Sequence, residues 1–161
     1  MEHIVPRSLG NLHYVLNRGA VCASCNNRFG LIENRILSSP EFVEERRRLR
    51  LLRHMSQQST TALTRSDIQF FLTKMVFQGL YKSRPSIWKE LPDKVRRTLA
   101  REVELFVFQG PYDRMRFNPV PGFIDRFRLR RNDISLGYRW DNGSLYGQFE
   151  FGRIVLTDGI V

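Results

Sequence analysis

The apolar residues of this chain change their spacing at Gly110-Pro111, and no other feature of the sequence constrains the fold as much. Before that point they recur every three or four positions, which is the period of an amphipathic helix. After it they alternate with polar residues, and Asp141-Asn142-Gly143-Ser144 separates two alternating runs as a tight hairpin turn would. The sequence therefore predicts an α+β fold with an N-terminal segment at 1–37, a helical middle at 38–110 and an antiparallel C-terminal β-sheet at 111–161.

The predicted helices differ in how much of their surface is apolar. A first helix is expected at residues 26–37. The next starts at Ser38-Ser39-Pro40-Glu41, where a serine cap precedes proline, and is expected to run to about Met55. The helix expected at 68–81 is apolar on nearly every side, which predicts burial, and a further helix begins at Pro92-Asp93.

Lysine and arginine outnumber acidic residues by 26 to 16, which gives a net charge of +10 and a pI near 10.4. This excess favours a polyanionic partner, because each cation placed against a phosphate releases condensed counterions. The alternative is a merely basic soluble protein, or one that touches an acidic membrane surface. The arginine-rich stretch 46–53 is interpreted either as a phosphate-binding helix or as a solvated helix face. The arginines predicted to contact nucleic acid are Arg7, Arg28, Arg46, Arg47, Arg50 and Arg53.

The composition also bears on location. No apolar run approaches the ~20 residues that a membrane span requires, and no charged-then-apolar leader is visible. A hydrophobic fraction of 42% is enough for a packed core. We therefore expect a soluble cytoplasmic protein with no membrane partner.

The first thirty positions contain a specific arrangement of polar residues. Glu2-His3-Ile4-Val5-Pro6 is followed by Leu9-Gly10, then by Asn17, and then by Cys22-Ala23-Ser24-Cys25-Asn26 and Gly30. This segment resembles the HNH endonuclease motif, or ββα-metal finger, and in particular the branch that reads E-H-I-I-P-x-x-L-G-G and then C-x-x-C-N-x-x-x-G. The spacing from His3 to Asn17 to Asn26 is also similar to that in the HNH nuclease domain of the CRISPR RNA-guided DNA-cleaving enzyme.

The resemblance implies a catalytic role for His3, Asn17 and Asn26. His3 would be the general base that deprotonates the attacking water, a task suited to its unperturbed pKa of about 6.5. Glu2 would bind a catalytic Mg²⁺ or Mn²⁺, with Asn26 as a further oxygen ligand of that ion. Asn17 would pin the loop and orient the histidine.

Taken singly, each of these residues has a simpler explanation. A Glu-His pair is common in proteins of every kind. Asn17 is alternatively a turn residue before Arg18-Gly19, and Asn26 is alternatively the cap of the helix that it begins. Their joint spacing is what favours the nuclease interpretation.

Cys22 and Cys25 resemble the second half of the Cys₄ zinc site of this branch. The resemblance implies a first C-x-x-C and a first strand upstream of Glu2, and the sequence given holds neither. Since structural zinc is normally four-coordinate, the pair is expected to form a partial zinc site, with His13 as the nearest spare donor. The alternative is two small buried thiols.

The function implied is that of a metal-dependent endonuclease acting on double-stranded DNA. The alternative is a non-catalytic nucleic-acid-binding protein that retains a degenerate HNH scaffold. A third possibility is an interaction protein whose basic surface meets an acidic protein, and the salt dependence of binding would distinguish it.

Overall fold

A computed structural model describes residues 2–51, 62–83, 85–90, 125–128, 134–141 and 144–159. These residues combine helices with antiparallel sheets, which confirms the predicted α+β class. In the described part of the chain, no helix has both the length and the apolar character that a bilayer crossing requires. The elements are, in chain order, β1 (Glu2–His3), β2 (Val15–Leu16), α1 (Ala23–Leu37), α2 (Pro40–Arg48), α3 (Arg65–Ser83), α4 (Pro85–Glu90), β3 (Asp125–Arg128), β4 (Ile134–Asp141), β5 (Ser144–Phe151) and β6 (Ile154–Gly159).

The C-terminal strands form one antiparallel sheet in the order β3-β4-β5-β6. The pairing of β4 with β5 ends where Asp141 faces Ser144, and the predicted turn residues 142–143 lie outside the described residues. Leu136, Phe149 and Leu156 stand opposite one another across the last three strands, and all are buried. This row gives the sheet its apolar face.

Helix α3 lies at the centre of the molecule, packed against α1 and against β4, β5 and β6. Its burial confirms the prediction for 68–81, although the helix starts at Arg65. Thr64 Oγ1 accepts a hydrogen bond from Asp67 N at 3.1 Å, and Asp67 Oδ2 accepts one from Thr64 N at 3.0 Å. This reciprocal cap satisfies two backbone donors at the helix start and explains the earlier beginning.

Four phenylalanines join α2 and α3 to the sheet. Phe42 contacts Phe71 edge-on, with ring centroids 6.2 Å apart, and stacks on Phe151 at 6.0 Å. Phe71 in turn meets Phe149 edge-on at 5.7 Å. Offset and edge-on ring pairs of this kind add about 0.5–1.5 kcal/mol beyond their buried area.

Helix α2 ends at Arg48, earlier than the predicted end near Met55. Arg50 adopts a left-handed φ of 57°, and Leu51 N donates to Arg46 O at 2.8 Å, which closes the helix. A residue in the left-handed conformation is usually a glycine. Because this position is an arginine, the sequence contains no indication that the helix ends here. Residues 52–61 and the helix predicted from Pro92 lie outside the described residues.

A buried carboxylate, Glu45, joins α2 to the turn between β5 and β6. It accepts hydrogen bonds from Arg48 Nε at 3.0 Å, from Arg153 N at 2.7 Å and from Arg153 Nε at 3.0 Å. The hydrogen bond from Arg48 is the main reason that the pKa of Glu45 falls to about 2. Gly152 follows β5 with a φ of 56°, and a Cβ there would stand 1.9 Å from Glu45 Oε1.

Candidate active site

The first residues of the motif lie on a small antiparallel ribbon. Glu2 pairs with Leu16 and His3 with Val15, so the strand before the turn consists of Glu2–His3. The ribbon is fastened to α3, because Tyr14 Oη is 3.3 Å from the Gly79 carbonyl, to which it donates, and 2.6 Å from Ser83 Oγ. Glu2 and His3 therefore occupy a strand held against the buried helix.

The loop of the ribbon is pinned by Asn11. Its Nδ2 donates to Val5 O at 2.6 Å and to Tyr14 O at 3.0 Å, and its Oδ1 accepts from Tyr14 N at 2.9 Å. Asn17 is exposed beyond β2, and its carbonyl accepts from Ala20 N at 3.2 Å, as in a turn. The structure thus gives to Asn11 the loop contacts that the resemblance implied for Asn17.

Helix α1 begins at Ala23, three residues before the predicted start. Cys22 is its cap, with Sγ accepting a hydrogen bond from Cys25 N at 3.3 Å. Asn26 therefore lies inside the helix rather than at its cap, and its own N–H donates to Cys22 O at 3.0 Å. Because Cys22 caps the N-terminus of α1, the exposed side chain of Asn26 is not needed as a cap and is available to a ligand.

An open cleft of about 660 Å³ lies between the ribbon and one face of α1. It brings together Glu2, His3 and Asn26, whereas Asn17 is not part of its lining. The helical spacing i, i+4, i+7 places Gly30 and Glu33 on the same face as Asn26. The lining of this cleft includes Glu2, His3, Arg7, Asn26, Gly30 and Glu33.

A lysine of α3, which the sequence interpretation did not single out, forms part of the wall behind this cleft. Lys74 is only 1% exposed, and its Nζ lies 2.8 Å from Glu2 Oε1 and 2.6 Å from Glu33 Oε1. Nζ also donates to the carbonyl of His3 at 2.7 Å. The signal that could have found it is a single charge in the middle of an apolar helix, since a lone buried ammonium requires partners.

The surroundings of His3 favour its neutral form. Burial lowers the pKa of His3, and Arg7 and Lys74 lower it further, while Glu2 acts in the opposite direction. Burial raises the pKa of Glu33, against the attraction of Lys74. At neutral pH the imidazole is therefore unprotonated and able to accept a proton.

The two cysteines lie at a separate cavity of about 390 Å³, which α1 also lines. Cys22 is exposed rather than buried, and the hydrogen bond from the Cys25 thiol lowers the pKa of Cys22 to about 7. Among the described residues, no three His, Cys, Asp or Glu side chains come together as a metal-binding group. The partial zinc site stays a prediction, with His13 exposed in the ribbon loop.

The arginines predicted to contact nucleic acid differ in their accessibility. Arg46 is buried, at 7% exposed, and its Nη2 donates to Leu37 O at 2.6 Å, so we exclude it from the candidate contacts. Arg47 pairs with Glu44 at 2.7 Å on the surface. Arg53 lies outside the described residues. The exposed candidates are Arg7, Arg28, Arg47 and Arg50.

Comparison of this chain with protein-family models, with curated proteins and with solved structures finds no match in any of the three.

Proposed function

We propose that this protein is an HNH-type endonuclease that uses Mg²⁺ or Mn²⁺ to hydrolyse phosphodiester bonds in double-stranded DNA. The observation that carries the proposal is the meeting of Glu2, His3 and Asn26 in one cleft. Glu2 and His3 lie on the first strand of the two-stranded ribbon and Asn26 lies on the helix that follows it, an order of elements similar to that of a ββα-metal finger. Three residues that the resemblance assigns to one motif thus line one cleft.

The oxygen donors at the cleft fit a hard divalent cation. Mg²⁺ is usually held by one or two carboxylates and keeps several of its waters, so it does not need a closed cage of protein ligands. Here Glu2 would supply the carboxylate and Asn26 the amide oxygen, with Glu33 adding negative charge close by. When bound, the ion supplies positive charge that stabilises the phosphate and the departing oxygen.

His3 acts as the general base in this proposal. Its lowered pKa keeps the imidazole neutral at physiological pH, so it can take a proton from the attacking water. The strand pairing with Val15 and the Asn11 contacts hold its backbone in place. A fixed base needs less reorganisation when the water is activated, and this raises the rate of the chemical step.

Arg7 is the residue suited to orient the scissile phosphate. It is exposed, lines the same cleft and starts the short 3₁₀ turn at Arg7–Leu9. A guanidinium presents two parallel N–H groups to a phosphate, which fixes its orientation as well as its position. The same positive charge helps to keep His3 unprotonated.

The alternative is a nucleic-acid-binding protein that keeps this scaffold without cutting. It is favoured by the salt bridge of Glu2 with Lys74 and by the absence of a three-residue metal-binding group within the described ranges. The two functions differ in a single measurable outcome, the appearance of broken strands.

The test is incubation of supercoiled plasmid with the purified protein and Mg²⁺ or Mn²⁺. We expect relaxed and linear products that EDTA abolishes. His3→Ala should lose cleavage but still bind DNA and metal, because a base is not a ligand. His13→Ala is the matched control, since His13 is an exposed histidine of the same ribbon and does not line the cleft. A folded parental protein that leaves the plasmid intact with both ions would favour the non-catalytic alternative.

A further inference from the structure

The ammonium group of Lys74 makes its contacts at the point where β1, α1 and α3 meet. It reaches one carboxylate on β1, Glu2, and one on α1, Glu33. It also donates to the backbone carbonyl of His3, the residue whose ring lies at the cleft. One side chain of the central helix therefore contacts both the strand that carries Glu2 and His3 and the helix that carries Asn26.

The cost of burying this group indicates that its contacts are specific. An ammonium that is 1% exposed has lost its water, and each of its three N–H donors needs an acceptor. The two carboxylates and the His3 carbonyl supply that number, at 2.6 to 2.8 Å. Such a group holds its neighbours in one geometry, because any displacement leaves a buried charge unpaired.

We propose that Lys74 is the positioning residue of the cleft, where it locks the strand bearing Glu2 and His3 onto α1 and sets the charge that a divalent cation encounters. The inference rests on the proposed nuclease function and deepens it. Lys74 touches neither water nor phosphate in this role and acts through Glu2 and the β1 backbone.

The charges of Glu2, Glu33 and Lys74 determine how strongly the cleft should attract a divalent cation. Glu2 and Glu33 carry two negative charges and Lys74 carries one positive charge, so the cluster presents a net charge of −1 to the cleft. Removing the ammonium removes the positive charge that competes with a divalent cation for these carboxylates, so the cation should bind more strongly. Loss of the ammonium also releases the His3 carbonyl, which lets the general base move. Metal affinity should therefore rise while turnover falls.

The experiment compares Lys74→Met with the double variant Lys74→Met/Glu33→Gln. Methionine keeps the unbranched shape of lysine without its charge, and the double variant restores the net charge of −1. Lys89→Met is the matched control, because Lys89 is an exposed lysine of α4 that does not line the cleft. Mn²⁺ binding is measured by calorimetry without DNA, and plasmid cleavage is measured at saturating Mn²⁺.

For Lys74→Met we expect Mn²⁺ to bind about tenfold more tightly and turnover to fall about 100-fold. The double variant should bind Mn²⁺ as the parent does but keep the low turnover, because the His3 carbonyl still lacks its donor. Lys89→Met should match the parent in both measurements. A merely structural role would weaken metal binding and turnover together.

The inference is overturned if Lys74→Met binds Mn²⁺ no more tightly than the parent or cleaves at the parental rate. It is equally overturned if neither Lys74 variant folds, since Lys74 would then be required for the fold itself. If only Lys74→Met is unstable, the double variant provides the test, because it removes one charge of each sign. A low turnover of the double variant supports the inference, and a parental turnover overturns it. A parental protein that cleaves nothing would contradict the nuclease proposal instead, and the Mn²⁺ affinities would still test Lys74.

Discussion

Glu44 and Glu45 are neighbours in α2 with opposite environments. Glu44 is exposed and pairs with Arg47 on the surface, a kind of contact that contributes little to stability. The side chain of Glu45 is 3% exposed and binds both Arg48 and Arg153. Adjacent residues of the same type should therefore contribute differently to the stability of the fold.

We expect Glu45 to stabilise the fold in a pH-dependent manner. Its pKa is lowered from the ordinary 4.5 to about 2, so its contribution is complete above pH 4.5 and is lost as the pH falls towards 2. Glu45→Gln should lower the free energy of unfolding by about 2 kcal/mol at neutral pH. Thermal unfolding from pH 7 to pH 2 should show this difference shrinking with acid, and Glu44→Gln should show almost none. A difference that does not vary with pH would contradict the assignment.

The thiols of Cys22 and Cys25 should differ in reactivity. With a pKa of about 7, Cys22 is about half thiolate at neutral pH, whereas its partner in the hydrogen bond raises the pKa of Cys25. We expect iodoacetamide to label Cys22 first, at a rate that rises through pH 7, as measured by mass spectrometry with Cys22→Ser and Cys25→Ser as paired controls. Protection of both thiols, reversed by a chelator, would instead indicate bound zinc.

The motif residues Glu2, His3 and Asn26 were predictable from the sequence as a set, and they do share a cleft. Lys74 was not, because its helix is so apolar that periodicity indicates only burial. Likewise, the resemblance implied that Asn17 pins the loop, whereas the contacts within the loop are made by Asn11. Which amide reaches which carbonyl depends on the turn geometry, and sequence spacing does not encode that geometry.

At the scale of elements, α1 contains a glycine in its interior, at the middle of the cleft. Gly30 lines the cleft, and a Cβ built there would meet no atom within 4 Å. Glycine in a helix interior costs about 1 kcal/mol relative to alanine. Since packing does not require it, the open backbone is better explained as room for a ligand.

Gly30→Ala should raise the stability of the fold and lower DNA cleavage. We expect the free energy of unfolding to rise by about 1 kcal/mol, with the melting temperature increasing by about 2–4 °C. Plasmid cleavage should fall, because the added methyl group narrows the cleft beside Asn26. Calorimetry and the plasmid assay measure the two effects independently. A stabilised variant with unchanged cleavage would show that the substrate does not approach this part of α1.

The periodicity of apolar residues predicts some of the helices and strands but not all of their ends. Helix α3 and the β4–β5 hairpin follow from apolar spacing and an Asn-Gly turn, and both are present. The end of α2 does not follow, because Arg50 adopts a left-handed conformation that arginine rarely takes. The Glu45 contacts across the β5–β6 turn hold α2 in place, and they join residues more than a hundred positions apart.

At the scale of the whole molecule, the net charge of +10 should appear as salt-sensitive DNA binding. If exposed Arg7, Arg28 and Arg50 each neutralise one phosphate, the slope of log K against log salt should include a contribution of about −3 from them. Filter binding with the cleavage-deficient His3→Ala protein measures this slope. Replacing the three arginines by glutamine should flatten it by about 3. A slope unaffected by these changes would place the DNA on another surface.

The attachment of the ribbon to α3 determines whether the motif could keep its geometry outside this protein. Lys74, Lys82 and Tyr14 bind the ribbon to a helix that begins far along the chain. A two-stranded ribbon is marginally stable by itself, and the carboxylates of Glu2 and Glu33 would repel each other without the lysine between them. A peptide of residues 2–37 would thus contain every motif residue but lack the scaffold that aligns them. Grafting this motif into another protein would require a host helix that supplies a lysine in the place of Lys74.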